Sequence, residues 1–480
     1  MTMDSIQRLA DRCLLPGFVG TQPPDWVLRR AAAGLGGVCL YARNVRSTSQ
    51  LRAMSERLHI ENAGLVIAID EEGGDVTRLE AATGSSYPGN LALGAVDDFE
   101  LTRAVAGSIG AELAAAGIDL DLAPVADVNS NPINPVIGVR AFGPEPGLVA
   151  RQTAAWVEGL QGAGVAACVK HFPGHGATSL DSHLALPVVD EDPHQGALEP
   201  FSAAIAAGVR AVMSAHIVVP TIDAVPGTIS PKVMTSLLRR ELGFQGLAVS
   251  DGLEMRAIAD GVGIAEGTVL ALTAGCDLLC IGGGLAGEDI AIALRDAIAA
   301  AVKAGRVSEE RLAEAAARVD ALAEWRTKQV VAAVGDRAVG LAAARRAVRA
   351  EGRVRVDRNP AVVQLTSTPS QAAGVVPWGV AGPMAELGAR VHAMELDEQA
   401  NLDAIIAAAV GHSLVLVVRN LHRHPWMAAD IEAALAQRPD AILVEMGLPA
   451  CRPAAAAAYV ATYGAARVCG IAAAEVLMGR

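Results

Sequence analysis

Three histidines, a lysine and an aspartate crowd into fourteen residues of the segment KHFPGHGATSLDSHLALP (170–187): Lys170, His171, His175, Asp181 and His183. The segment leaves an apolar run and passes through Pro173, Gly174 and Gly176, which marks a loop. A polar load of this kind at a strand end suits a substrate better than a packed interior. A structural hydrogen bond is the better explanation of any one of these histidines taken singly; it is the density of the cluster that favours a site. Zinc is the first alternative, with His171, His175 and His183 as ligands. Their spacing is not that of a helical pair such as HExxH, and the first strand segment offers no His-x-His. No metal or other cofactor is expected.

Three other segments carry chemistry-bearing residues. AIDEEGGDVTRL (68–79) ends a strand at Asp70, turns through Gly73 and Gly74, and carries Arg78. A carboxylate that accepts and a guanidinium that donates grip sugar hydroxyls well, although a surface ion pair would look the same. NPVIGVRAFGPEP (134–146) holds Arg140 as the lone basic residue of a Gly/Pro-rich loop, and LAVSDGLEM (247–255) puts Asp251 directly at a strand end. The run GGGLAG fits G-x-G-x-x-G at Gly282, Gly284 and Gly287. It follows the last strand, and no acidic strand end comes about twenty residues later, so it reads as a tight strand-to-helix turn.

The elements that must position these groups are short apolar segments: 12–18, 36–42, 65–70, 118–124, 165–172, 210–216, 246–251 and 276–282. Their hydrophobicity is continuous, as in parallel strands covered on both faces. Between most of them lie helical patterns such as RQTAAWVEGLQGAG. Eight β–α units predict a (β/α)8 barrel over residues 1–335, with a doubly wound open sheet as the competing fold. The barrel is preferred because Asp70, Asp121, Lys170, His171, His216 and Asp251 end many different strands. In a barrel such ends converge on one mouth, whereas an open sheet brings only a few to its crevice. A helix over 308–329, N-capped by Ser308 with Glu309 and Glu310 in its first turn, closes the barrel. A helical connector (336–358) and a small α/β domain (359–480) follow, with strands near 361–367, 413–420 and 441–447.

Bulk properties narrow the partners. The net charge of −13 argues against nucleic acid, which needs a basic face. No stretch is apolar enough for a membrane span. The start shows no basic region followed by an apolar one, so no secretory signal is expected. The seven cysteines, an odd number sitting mostly in apolar runs, read as reduced thiols of a cytoplasmic protein. Cys276 and Cys280 are read as core, not as zinc ligands.

The motifs together resemble glycoside hydrolase family 3, in its β-N-acetylglucosaminidase branch. KHFPGHGATSLDSHLALP is the most diagnostic match; GGVCLYARN, DEEGGDVTRL, NPVIGVRAFG and SDGLEM support it in order over residues 36 to 255. The resemblance is strong over about the first 335 residues and weaker beyond, where the chain looks like the second domain of two-domain members. It implies a retaining exo-β-N-acetylglucosaminidase with Asp251 as nucleophile, His183 as acid/base and Asp181 as its partner. Asp70, Arg78, Arg140, Lys170 and His171 would hold the non-reducing N-acetylglucosamine. Two departures stand out: Glu71 where the branch often has Gln, and Gly252 where a second Asp commonly follows the nucleophile.

Elementary chemistry fits those roles. A retaining glycosidase needs one group to attack the anomeric carbon and one acid to protonate the leaving oxygen. His183 lies two residues after Asp181, which in an extended segment points both side chains the same way. A nearby carboxylate stabilises imidazolium, so the histidine can donate near neutral pH and later take the proton back. Muropeptide fragments are the substrate the resemblance favours; chitin disaccharides and other glycoconjugates remain open. A phosphorylase using phosphate as acceptor, and a non-catalytic sugar-binding protein, are the competing functions.

Overall fold

The computed structural model describes residues 1–329, 335–398 and 402–480. The stretches 330–334, near the end of the expected barrel segment, and 399–401, within the expected second domain, lie outside the described residues. Two compact units are present. The first comprises residues 1–71, 102–135 and 144–335, and the second 72–101, 136–143 and 336–480.

Each of the eight apolar segments contains one strand of the first unit: β1 (Leu14–Pro16), β2 (Gly37–Leu40), β3 (Val66–Ile69), β4 (Leu120–Asp121), β5 (Ala166–Phe172), β6 (Ala211–Ser214), β7 (Leu247–Val249) and β8 (Leu279–Ile281). Strands β2 to β7 pair in parallel in chain order, and β8 pairs with β1. Val249 bridges to Leu278 beside β7 and β8, and Gly36 N, just before β2, donates to Asp11 O in the helix that leads into β1. The parallel sheet thus curls into the expected barrel. Its filling draws on all eight strands (Leu15, Cys39, Val66, Leu120, Ala166, Ala211, Leu247 and Cys280) together with Val319 and Leu322. Those last two belong to the helix Glu309–Thr327, whose first turn is capped by Ser308 accepting from Arg311 N. The barrel is a packed core, not a pore.

With few aromatics, the helices around the barrel pack on small residues. Gly159 shows how closely: a Cβ there would sit 2.2 Å from Arg103 O of the neighbouring helix. The seam between β7 and β8 also carries a buried charge. Asp277 is fully buried, takes the N–H of Ala248 at 2.9 Å, and pairs with Arg239 (2.5 Å), Arg311 (2.6 Å) and Arg318 (3.0 Å). No helix among the described residues is long and apolar enough to cross a membrane.

The second unit contains a six-stranded sheet in the order β11-β10-β12-β13-β14-β9. Its strands are β9 (Arg349–Glu351), β10 (Ala361–Leu365), β11 (His392–Leu396), β12 (Leu414–Val418), β13 (Ile442–Glu445) and β14 (Ala458–Ala461). All pair in parallel except β9, which runs antiparallel to β14. Strands β10, β12 and β13 fall in the expected segments, whereas β9, β11 and β14 were not anticipated. Alternate residues of β12 feed two separate cores, Val415 and Val417 into one, Leu414, Leu416 and Val418 into the other, so both faces of the sheet are covered.

Removing the Asp277 carboxylate would leave three arginines around a buried hole. An Asp277→Ala protein is expected to lose about 3–5 kcal/mol of barrel stability, the usual result of breaking a buried pair. Denaturant unfolding followed by tryptophan fluorescence measures this, and an unchanged midpoint would refute it.

Candidate active site

Asp251 lies two residues beyond the last residue of β7 and is half-buried. Gly252 N donates to its Oδ1 at 2.8 Å. Burial opposes its charge, but His216, His171 and His183 act on it in that order and pull the carboxyl down to about 2. His216 follows β6; its Nε2 donates to Gly252 O at 2.9 Å, and its Nδ1 meets Thr228 Oγ1 at 2.7 Å. Burial lowers the pKa of His216.

The end of β5 and the loop after it supply most of the remaining groups. Lys170, buried at 2% exposure, pairs through Nζ with Asp70 Oδ1 at 2.6 Å, joining the ends of β5 and β3. His171 Nδ1 lies 2.7 Å from Asp127 Oδ2, and His175 N donates to Asp127 Oδ1 at 2.6 Å. Asp127 is fully buried. Burial raises its carboxyl, but His171 and His175 outweigh that and hold it below the usual range. His175 is itself buried, bonded through Nδ1 to Thr178 (2.8 Å) and through Nε2 to Ser182 (3.1 Å), and burial pushes its pKa down to about 4. It is a neutral, structural histidine. Asn134 Nδ2 ties the same loop by donating to the carbonyls of His175 and Gly176 at 2.9 and 3.1 Å.

Asp181 and His183 are in contact. His183 Nδ1 lies 2.7 Å from Asp181 Oδ1, which also accepts from His183 N at 2.9 Å. Burial works against the Asp181 charge, but the bonds from His183 keep its pKa low. The imidazole is partly exposed, at 26%, and the carboxylate behind it only at 10%. The three histidines of the loop therefore have three different sets of partners. Among the described residues, no group of three or more His, Cys, Asp or Glu is arranged to hold a metal ion.

Of the expected site residues, Asp251, Lys170, Asp70, His171, His183 and Asp181 belong to the first unit, on the ends of β3, β5 and β7 or the loop after β5. Arg78 and Arg140 belong to the second unit. Arg140 is buried and pairs through Nε and Nη2 with Glu72 at 2.9 and 2.7 Å; Arg78 Nη2 donates to Ala372 O at 2.9 Å. The glycine run after β8 is a strand-to-helix turn, as expected: it leads into the helix Glu288–Lys303, and Glu254 Oε1 accepts from Gly282 N at 3.0 Å and from Gly283 N. Asp127 was missed by sequence reasoning. It sits alone in the apolar run LAPVADV, and its only signal is that an acid in such a run needs a partner.

The sequence model of the glycosyl hydrolase family 3 N-terminal domain matches residues 28–322. The chain belongs to glycoside hydrolase family 3. Beta-hexosaminidase A of Pseudoalteromonas piscicida is 39% identical over 284 residues, covering 54% of this chain and 47% of that protein, so the chain spans about half the length of that relative. The beta-hexosaminidase of Thiobacillus denitrificans is 38% identical over 279 residues, covering 56% of this chain and 77% of its own. The structure of a family 3 beta-N-acetylglucosaminidase from Paenibacillus sp. str. FPU-7 superposes with a TM-score of 0.89 at 35% identity, over 98% of this chain and 96% of that one. This family 3 chain is a glycoside hydrolase, and its α/β fold matches that structure.

Asp127 yields a prediction with a definite sign. Its folded pKa lies below the ordinary 3.8, so the stability it supplies is present above that value and is lost as pH falls through the depressed one. Asp127→Ala is expected to cost about 3 kcal/mol at pH 7, since His171 and His175 N lose a buried charged acceptor. Thermal melts should show the gap to wild type narrowing in acid. A gap that stays constant would show that the carboxylate charge is not what matters.

Proposed function

We propose that this family 3 enzyme is a retaining exo-β-N-acetylglucosaminidase that removes non-reducing β-linked N-acetylglucosamine, with cell-wall muropeptide fragments in the cytoplasm as the substrate. The observation that carries the reading is the Asp181–His183 contact in the same unit as the carboxylate that follows β7, Asp251. Asp251 attacks the anomeric carbon and forms a glycosyl ester. His183 gives its Nε2 proton to the leaving oxygen, because Nδ1 is committed to Asp181. The neutral ring then takes a proton from the incoming water, whose oxygen opens the ester and regenerates the Asp251 carboxylate. Asp70, Lys170 and His171, with Arg78 and Arg140, hold the sugar. The similarity to beta-hexosaminidases and to a beta-N-acetylglucosaminidase structure supports the sugar assignment.

A second reading keeps the residues and changes the acceptor. A neutral imidazole repels phosphate less than a carboxylate base would, so phosphate could open the ester to give N-acetylglucosamine 1-phosphate. Product analysis of a muropeptide disaccharide and of chitobiose, with phosphate varied, separates the two. Free N-acetylglucosamine as the sole product at high phosphate supports hydrolysis.

His183→Ala and Asp181→Ala are expected to cut turnover of a natural disaccharide by about 10²–10⁴, the usual contribution of general acid–base catalysis. A substrate with a good leaving group should lose less in its first step. Unchanged kinetics of His183→Ala on the disaccharide would remove the assignment. Asp251→Ala should abolish covalent trapping by a fluorinated N-acetylglucosaminyl donor, detected as an intact-mass increase; persistent labelling would sink the nucleophile.

A further inference from the structure

The motif loop 72–90 lies within the second unit, and its polar side chains are anchored on the C-terminal segment of that unit. Asp75 is buried, with 3% of its side chain exposed. One of its oxygens takes the Arg419 guanidinium and the other the N–H of Ala465 at 3.0 Å. Arg419 directly follows β12, and Ala465 lies just beyond β14. Glu80 accepts from Ser86 N (2.6 Å), Ser86 Oγ (2.8 Å) and Arg337 Nη1 (3.0 Å). Arg467 Nη2 completes this group at 3.0 Å from Ser86 Oγ. Arg78, as above, rests on Ala372 O.

The backbone between these anchors has little freedom. Glu72 N donates to Val76 O (3.0 Å), Val76 N to Gly73 O (3.2 Å) and Gly74 N to Tyr87 O (3.0 Å). Gly74 adopts φ 62°, and a Cβ there would lie 2.5 Å from Gly89 Cα. The space among Glu72, Asp75, Asn90, Arg140 and Gly464 is a cavity of only about 10 Å³, room for one water at most. A shift of Asp75 is therefore passed to Glu72, and through the two bonds from Arg140 to that arginine. Burying the Asp75 charge is offset by Arg419 and one amide. Without Arg419, a nearly uncompensated buried charge would have to move or draw in water.

We propose that Arg419 is a positioning residue for sugar recognition: through Asp75 it sets the Gly73–Val76 turn that carries Glu72, the partner of Arg140, on one side and Arg78 on the other. This rests on the reading of Arg78 and Arg140 as groups that hold N-acetylglucosamine. It gives the C-terminal segment a part in binding affinity and none in the proton transfers.

The test uses the full chain with Arg419→Ala, Arg419→Lys, Arg78→Ala and the Arg419→Ala/Arg78→Ala double variant, assayed on p-nitrophenyl N-acetyl-β-glucosaminide. Arg419→Ala should raise KM about tenfold, the scale of one charged hydrogen bond, with kcat changed by less than about twofold, the signature of lost uniform binding. Lysine, which keeps the charge but not the fork, should fall between. The double variant should raise KM by less than the product of the two single effects, because part of the Arg419 effect runs through Arg78 and only the Glu72–Arg140 part is left once Arg78 is gone. If Arg78→Ala leaves KM unchanged, the sugar-holding reading fails and the proposal falls with it. If Arg78→Ala raises KM but the Arg419 variants do not, or if the effects simply add, the proposal alone is overturned. A lower kcat at constant KM, the mark of a smaller folded fraction, also overturns it. Should Arg419→Ala not fold, Arg419→Lys and Asp75→Asn carry the same comparison.

Discussion

Asp251 has to keep its charge at the end of a barrel filled with Leu, Ala, Val and Cys. Burial alone would raise its carboxyl and leave it protonated, a state that would not serve the nucleophile role proposed for it. Three imidazoles oppose that, one following β6 and two from β5 and its loop, and the Gly252 N–H adds a fourth influence. None of the three is loose. His216 is held between Thr228 and Gly252 O, His171 rests on Asp127, and His183 on Asp181. The charge of one carboxylate thus depends on rings that are in two cases oriented by further carboxylates. Orientation and electrostatics cannot be separated here, because turning a ring changes the field at Asp251.

The same economy recurs wherever the chain buries a charge. Lys170 is matched by Asp70, Arg140 by Glu72, and Asp277 by three arginines. Such pairs add little net stability over a well-packed apolar equivalent, yet removing one partner costs several kcal/mol. What they contribute is position. The Lys170–Asp70 pair ties the end of β5 to the end of β3 at the mouth.

Most of this architecture could be read from residue patterns, for reasons specific to each element. The barrel strands were visible because both faces are covered, so runs such as VIAI are apolar throughout and buried throughout. Strand β11 escaped because HAMEL is an edge strand, largely exposed and carrying His and Glu, with no apolar run to announce it. Strand β14 escaped for the opposite reason: AYVA ends the stretch AAAAAYVA, whose alanines favour helix until tertiary pairing with β13 overrides them. The Asp181–His183 contact was legible because it is local. Asp127 was not, since its partners come forty-four and forty-eight residues later. Nor could spacing reveal that residues 72–101 group with the C-terminal segment in the second unit.

On the proposed reaction, using histidine in place of a second carboxylate moves a negative charge. Once the proton has been donated, Asp251 is an uncharged ester and the dyad's charge sits on Asp181, behind the ring and only 10% exposed. A carboxylate base would put that charge at about 4 Å from the acceptor, whereas the ring's width adds roughly 5 Å. With an effective dielectric of about 20, the repulsion on a unit anion falls from about 4 to about 2 kcal/mol. Phosphate would be repelled less than in a two-carboxylate enzyme, but it would still be repelled. The cation on β5, Lys170, is already matched by Asp70. Water, being neutral, would meet no such barrier, so the proposed dyad would favour water over phosphate as the acceptor.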